Sequence, residues 1–289
     1  MPQATSLASM LGRARTVDLT LTLAEELPAA WSTHMPYQQK TFQYFTGVDS
    51  QASHLNKNPN GPYQTRWLLI DEHTGTHVDA PAHFIPEPDT GLPHADPAGT
   101  VTAEQIPLEQ LAGPAVVIDV PKDLPGSAPG RSPTITKDLI ADWESVNGPV
   151  EAGEIVLFRT GWDRHYLAGD SGRAYCYDAL VTGRGPGWPA PDAEAMAHLI
   201  ERGVTCVGTD GVSMGTVHDG AGVHHFGLAR RVAFIEALGH LGALPVRGAL
   251  FFFAPLKVAR GTGAPGRAFA LLPEAAPPEA ATPPEATSS

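Results

Sequence analysis

The chain has 289 residues, 42% hydrophobic and 17% charged, a balance that supports a sizeable folded core and excludes wholesale disorder. Its 19 basic and 31 acidic side chains leave a net charge of −12, so the surface field should repel nucleic-acid backbones and anionic lipid headgroups. Two isolated cysteines, Cys176 and Cys206, cannot build the multi-bridge framework of a small secreted domain. Neither a signal-peptide run nor an apolar stretch of about 20 residues occurs, so the expectation is a cytoplasmic protein with no nucleic-acid and no membrane partner.

Residues 1–14 read as a flexible N-terminus. Thr16–Leu23 (TVDLTLTL) then alternates polar and apolar residues as a half-buried strand does. Further on, the β-type runs Ala115–Val120, Glu154–Thr160, Thr205–Gly208 and Leu250–Phe253 alternate with helical patterns at Thr136–Glu144, Pro191–Arg202 and Leu228–Leu238. Pro191 suits a first helical turn and Gly203 a position just past a helix end. Alternation of this kind predicts an α/β fold, with one domain over 15–272. Beyond it, residues 273–289 form a Pro/Ala/Glu-rich tail without hydrophobic periodicity, which is expected to be disordered.

One short segment carries most of the chemistry. WLLIDEHTGTHVDAPAHF, at 67–84, begins apolar and then places His73, His77, Asp79 and His83 within eleven residues. Gly75, two threonines, Val78 and Pro81 argue against a helix there. In an extended chain, His73, Gly75, His77 and Asp79 would share a face. Gly75 would leave space on that face for an ion, a water or a substrate. Imidazole and carboxylate without thiolate suit Zn²⁺, Mn²⁺ or Fe²⁺ in an open catalytic site better than a closed structural zinc site.

A second cluster follows in GTDGVSMGTVHDGAGVHHFGLARRVAFIEALGH, with Asp210, His218, Asp219, His224, His225 and Glu236. If Leu228, Val232, Ile235 and Leu238 form one helical stripe, that helix docks on the sheet and aims Glu236. The carboxylate then needs a partner, which could be a metal, a ligated histidine, or Arg230 or Arg231.

These stretches resemble the cyclase family of metal-dependent hydrolases, which includes the kynurenine formamidases and isatin hydrolases. The carrying segments are HTGTHVDAPAHF at 73–84, EIVLFRTGW at 154–162, VGTDGVS at 207–213, HHFGLARRVAFIEAL at 224–238 and FAPLKVARGTGAPGRAFALL at 253–272. The resemblance implies a swivelling β/β/α single domain with a mixed, barrel-like sheet, in homodimers or homotetramers. It further implies that His73, His77, Asp79, His224 and Glu236 bind one or two divalent ions, Zn²⁺ or Mn²⁺. By the same resemblance, His83 moves protons and Trp31 contacts substrate. His34–Tyr63 and Tyr175–Trp188 depart from the family pattern and are expected to reshape the pocket.

The expected chemistry is attack of metal-activated water on an amide, lactam or related carbonyl of a small molecule, aromatic substrates included. His83 would assist the water and then protonate the leaving amine. Arg230, Arg231 and Arg260 could attract a substrate carboxylate or could be surface charges. Three other readings stand beside this one. A polyketide-type cyclase could use the same fold. Gly211–Gly215 (GVSMG) has the form of a serine-hydrolase elbow with Ser213 as nucleophile, although a loop rather than a helix follows it. A metal-binding module without turnover is the third.

Overall fold

The computed structural model describes residues 12–44 and 63–273. The expectations for residues 1–11, 45–62 and 274–289 lie outside the described residues. Among the described residues, twelve strands occur in chain order: β1 (Arg15–Asp18), β2 (Gln38–Gln43), β3 (Thr65–Leu69), β4 (His77–Asp79), β5 (Ala112–Asp119), β6 (Thr134–Ile135), β7 (Ile155–Arg159), β8 (Ala190–Pro191), β9 (Cys206–Thr209), β10 (Ala233–Glu236), β11 (Ala249–Pro255) and β12 (Gly263–Leu272). Four α-helices accompany them among the described residues: α1 (Lys137–Asn147), α2 (Tyr177–Leu180), α3 (Ala193–Glu201) and α4 (Ala221–Leu228).

The main sheet runs β1-β12-β11-β5-β7-β9-β10-β4, and a further pairing of β4 with β12 closes seven of its strands into a barrel. β5, β7, β9 and β10 are parallel neighbours, whereas β11 and β4 join antiparallel. The expected mixed, barrel-like α/β sheet is therefore present. Its long apolar runs follow from burial on both faces. Ala115, Val117, Ile155, Leu157, Cys206 and Ile235 pack inside the barrel with Val17, Phe251 and Ala268. Their neighbours Val116, Ile118, Val156, Phe158, Val207 and Phe234 face outwards, against Ile140 and Trp143 of α1, Met196 and Leu199 of α3, and Val223 and Leu228 of α4.

Local chemistry accounts for most element ends. Thr136 caps α1 by accepting from the Leu139 N–H at 3.3 Å, and Asp192 caps α3 by accepting from Ala195 N–H at 2.8 Å. Pro191 is therefore not in the first turn of α3; it ends β8, and the helix begins two residues later. The larger correction concerns Leu228–Leu238. Leu228 is the last residue of α4, Arg231 turns the chain at φ 60°, and Ala233–Glu236 is a strand buried over its whole length. Apolar residues at helical spacing also form the continuous run of a strand buried on both faces, and the turn at Arg231 decides between them.

Candidate metal centre

β4 supplies two side chains of the predicted cluster. His77 and Asp79 face outwards on the same side of the strand, while Val78 between them joins the barrel core. The extended reading does not reach back to His73, which sits on the turn Asp71–Gly75 with Gly75 at φ 62°. The turn nevertheless returns the His73 imidazole to the strand, with its Nδ1 2.8 Å from Asp79 Oδ1. Gly75 lines a cavity beside the cluster. A side chain there would collide with Leu23, so glycine is required by the turn and by that contact.

Register brings in the distant partners. β10 pairs antiparallel with β4 so that Glu236 lies opposite His77 and Phe234 opposite Asp79. Glu236 is therefore aimed by a strand, and neither Arg230 nor Arg231 pairs with it. α4 packs on the outer face of β10 and delivers His224. Its Nε2 lies 3.2 Å from Glu236 Oε1 and 3.5 Å from Asp79 Oδ2, and His77 Nε2 lies 3.3 Å from Asp79 Oδ1 and 3.6 Å from Glu236 Oε2. His83 follows Pro81 in a short 3-10 turn, and its ring stacks on His73 at 3.8 Å.

The far nitrogens of three imidazoles are already engaged. His77 Nδ1 donates to the Gly75 carbonyl at 2.8 Å and His224 Nδ1 to the Gly220 carbonyl at 2.5 Å, which turns each Nε2 towards the carboxylates. His73 is held the other way round. Its Nε2 donates to Thr262 Oγ1 at 3.1 Å, and that hydroxyl donates to Glu72 Oε1 at 3.2 Å. Neither Glu72 nor Thr262 stood out in the sequence. Glu72 adjoins the motif without matching a ligand spacing, and Thr262 lies 189 residues from His73.

Charge in the cluster is organised around the two acids. Burial opposes a cation on His77, yet the hydrogen bond and charge of Asp79, with Glu236 beyond, raise it to about 9. Burial also opposes a cation on His224, and Asp79 and Glu236 raise it to about 10. His83 goes the other way, pushed down to about 4 chiefly by burial. Two buried carboxylates thus draw positive charge into the cluster, a demand that imidazolium protons or a divalent cation can meet. Asp79 Oδ2 is buried and accepts no hydrogen bond, an orphan that a cation would satisfy. The donor atoms form two candidate triads sharing Asp79, one with His73 and His83 and the other with His77 and Glu236.

A cavity of roughly 200 Å³ opens onto this cluster. Its lining includes His73, His77, His83, His224 and Glu236, with Trp31, Phe84, Tyr166, Tyr175 and Val212 as apolar wall. Trp31 is part of that wall, edge-on to the buried Trp188 at 5.6 Å. Tyr175 and Trp188 bound the segment expected to reshape the pocket. Ser213 also lines the cavity, but its hydroxyl donates to Glu236 Oε1 at 3.2 Å and accepts from Gly215 N–H, and no described helix begins between Ser213 and Ala221. That arrangement lacks the base of a serine nucleophile.

Other candidates lie elsewhere. Asp210 accepts from the Thr160 and Gly161 N–H groups and the Thr160 hydroxyl, and tethers β9 to β7. His218 accepts from Ser132 N–H, Asp219 accepts from Gly222 N–H, and His225 stacks on His94. Arg230 lies over the Phe226 ring, and neither it, Arg231 nor Arg260 lines the cavity.

Comparison with known proteins identifies the family. Residues 17–216 match the family model "Putative cyclase". The chain is 36% identical to the isatin hydrolase of Roseibium aggregatum over 75% of this chain and 78% of the relative. It is 30% identical to the kynurenine formamidase of Salinibacter ruber over 70% of this chain and 76% of the relative. Among solved structures, an isatin hydrolase bound to the product analogue thioisatinate superposes with a TM-score of 0.70 at 28% identity, covering 92% of this chain and 95% of the other. With the family model spanning more than half its length, the chain belongs to the cyclase family.

Proposed function

We propose that this protein is a metal-dependent hydrolase that opens the C–N bond of a small aromatic amide or lactam. The observation that carries the reading is the convergence of His73, His77, Asp79, His224 and Glu236 from a turn, two strands and a helix. The histidines' remaining nitrogens are tied to protein acceptors, the outer shell that ligating histidines require. These five residues would hold one ion, or two sharing Asp79. Imidazole and carboxylate donors without thiolate favour Zn²⁺ or Mn²⁺. The names of the isatin hydrolase and kynurenine formamidase relatives support cleavage of a non-peptide C–N bond.

When bound, such an ion supplies a Lewis acid that polarises the carbonyl and lets water ionise near neutrality. The chain's own groups do the rest. Trp31, Phe84, Tyr166 and Val212 hold the aromatic part of the substrate and exclude water from it. His83, stacked on His73 and neutral at pH 7, accepts a proton from the attacking water and returns it to the leaving nitrogen. His73, pinned through Thr262 to Glu72, keeps the plane of that stack. Subunits are expected to assemble as homodimers or homotetramers, which light scattering reads directly.

Elemental analysis of the purified protein, followed by an amide, lactam and ester panel with and without chelator, tests the activity. Chelator-sensitive cleavage of an aromatic amide or lactam is expected. Turnover that survives complete metal removal would sink the reading.

A further inference from the structure

The cavity wall holds a polar group that no described residue satisfies. Tyr175 follows the 3-10 turn Gly169–Ala174, is 2% exposed, and lines the same cavity as His73, His83 and Glu236. Around it lie Leu21, Trp162, Val212 and Ala237, with the Tyr166 ring edge-on at 5.2 Å. The two tyrosines differ in one respect. Tyr166 donates its hydroxyl to the Thr22 carbonyl at 2.7 Å, whereas the Tyr175 hydroxyl is buried without a hydrogen-bond partner. A buried hydroxyl left unpaired is costly, and native proteins keep one chiefly where a ligand or ordered water completes it.

We propose that Tyr175 is a specificity-determining residue whose hydroxyl donates a hydrogen bond to a neutral acceptor, a carbonyl or ether oxygen, on the aromatic part of the substrate. The inference rests on the hydrolase reading and narrows its substrate class. Three observations support it. The hydroxyl bonds to none of the five candidate ligands, so its donor is left for a group that enters the cavity. Burial, with Tyr166, Cys176, Asp210 and Asp163 nearby, holds the phenol well above its ordinary pKa, so it remains a donor at neutral pH. The Asp210 and Asp163 carboxylates that help to keep it protonated also disfavour an anionic acceptor.

Formanilides bearing an acetyl group at the ortho, meta or para position, each compared with its isopropyl analogue, test the proposal in the full-length, metal-loaded protein. The pairs match in shape and differ in the acceptor. One acetyl isomer should exceed its isopropyl partner in kcat/KM, mainly through KM. Tyr175→Phe should lower that ratio at least about tenfold while changing the isopropyl compound less than about twofold. Taking the ratio between wild type and variant cancels the electronic effect of the acetyl group on the leaving nitrogen. The Tm of the variant should equal or exceed that of the wild type, because an unpaired hydroxyl has been removed. An unchanged ratio, or a lowered Tm marking the hydroxyl as part of the fold's own bonding, overturns the proposal. If no compound is cleaved, the hydrolase reading fails on these substrates. Calorimetric binding of the same six then reads the Tyr175 preference separately, and equal loss of affinity for both members of every pair overturns it.

Discussion

A single methyl group added at Gly263 should loosen the candidate metal site without touching a ligand. The Cβ of Gly263→Ala would lie 2.5 Å from His73 Cε1 and 2.9 Å from both ring nitrogens. The ring cannot simply swing aside. Its Nδ1 is 2.8 Å from Asp79 Oδ1, its Nε2 is 3.1 Å from Thr262 Oγ1, and His83 covers one face at 3.8 Å. Relieving the clash to ordinary contact moves the imidazole by about 1 Å, enough to break hydrogen bonds of these lengths. Gly263 does not occupy the left-handed region, so alanine is no burden to the backbone and the effect falls on His73. The expected result is metal affinity weakened about 10- to 100-fold, with an overpacking cost of about 1–3 kcal/mol in stability. Competition against a chelating dye measures the first and thermal melting the second. Gly242→Ala, where a Cβ meets nothing within 4 Å, is the control. A folded Gly263→Ala protein that binds metal within about twofold of wild type would refute the placement of His73.

Asp79→Asn, which removes the carboxylate shared by both triads, should abolish metal uptake in elemental analysis and leave no measurable turnover. His83→Ala should retain the metal but lose about 10²- to 10⁴-fold in kcat, and unchanged turnover would reduce His83 to packing. Trp188→Ala empties a fully buried site and breaks its bond to the Gly215 carbonyl, so it should cost about 3–5 kcal/mol by denaturant unfolding. A pH effect is expected far from the metal. Burial raises the Glu144 carboxyl, but Val150 N–H, His198 and Arg202 together hold it below its ordinary value. Its contribution is therefore present above about pH 4.5 and is lost as pH falls through the lower folded value. Glu144→Gln should then destabilise the protein by about 1–2 kcal/mol at pH 7, and the difference should shrink in acid unfolding as pH falls through the lowered folded value.

Where the sequence was informative, one physical signal dominated the local structure. Val116–Ile118 and Val156–Phe158 read as strands because barrel interior and helices cover both faces, so no polar residue interrupts them. His77 and Asp79 read as neighbours on one face because β4 is truly extended. His73 did not obey the same period because Gly75 turns the chain, and a positive φ leaves no trace in a pattern of side-chain types. Glu236 was singled out with the wrong element beneath it, since Val232–Leu238 satisfies helical and strand spacing equally. The pairing of Glu72 with Thr262 and the unpaired Tyr175 hydroxyl depend on folded contacts alone, and no local spacing announces either.

The barrel's closure and the candidate site are one structural feature. β4 is only three residues long, yet it pairs with β10 on one side and β12 on the other. Its central residue, Val78, goes inwards opposite Ile235 and Ala264, all three in the barrel core. The flanking His77 and Asp79 must then point outwards, where the same register sets Glu236 opposite His77 and Gly263 opposite Asp79. A one-residue slip of β4 would bury an imidazole or carboxylate in the barrel and expose Val78, so core packing enforces the alignment of the outward groups. The short strand needs only apolar burial at one position to be held there. Its other two side chains are left free for chemistry, on the face where α4 brings His224 and where Gly263 leaves room for His73.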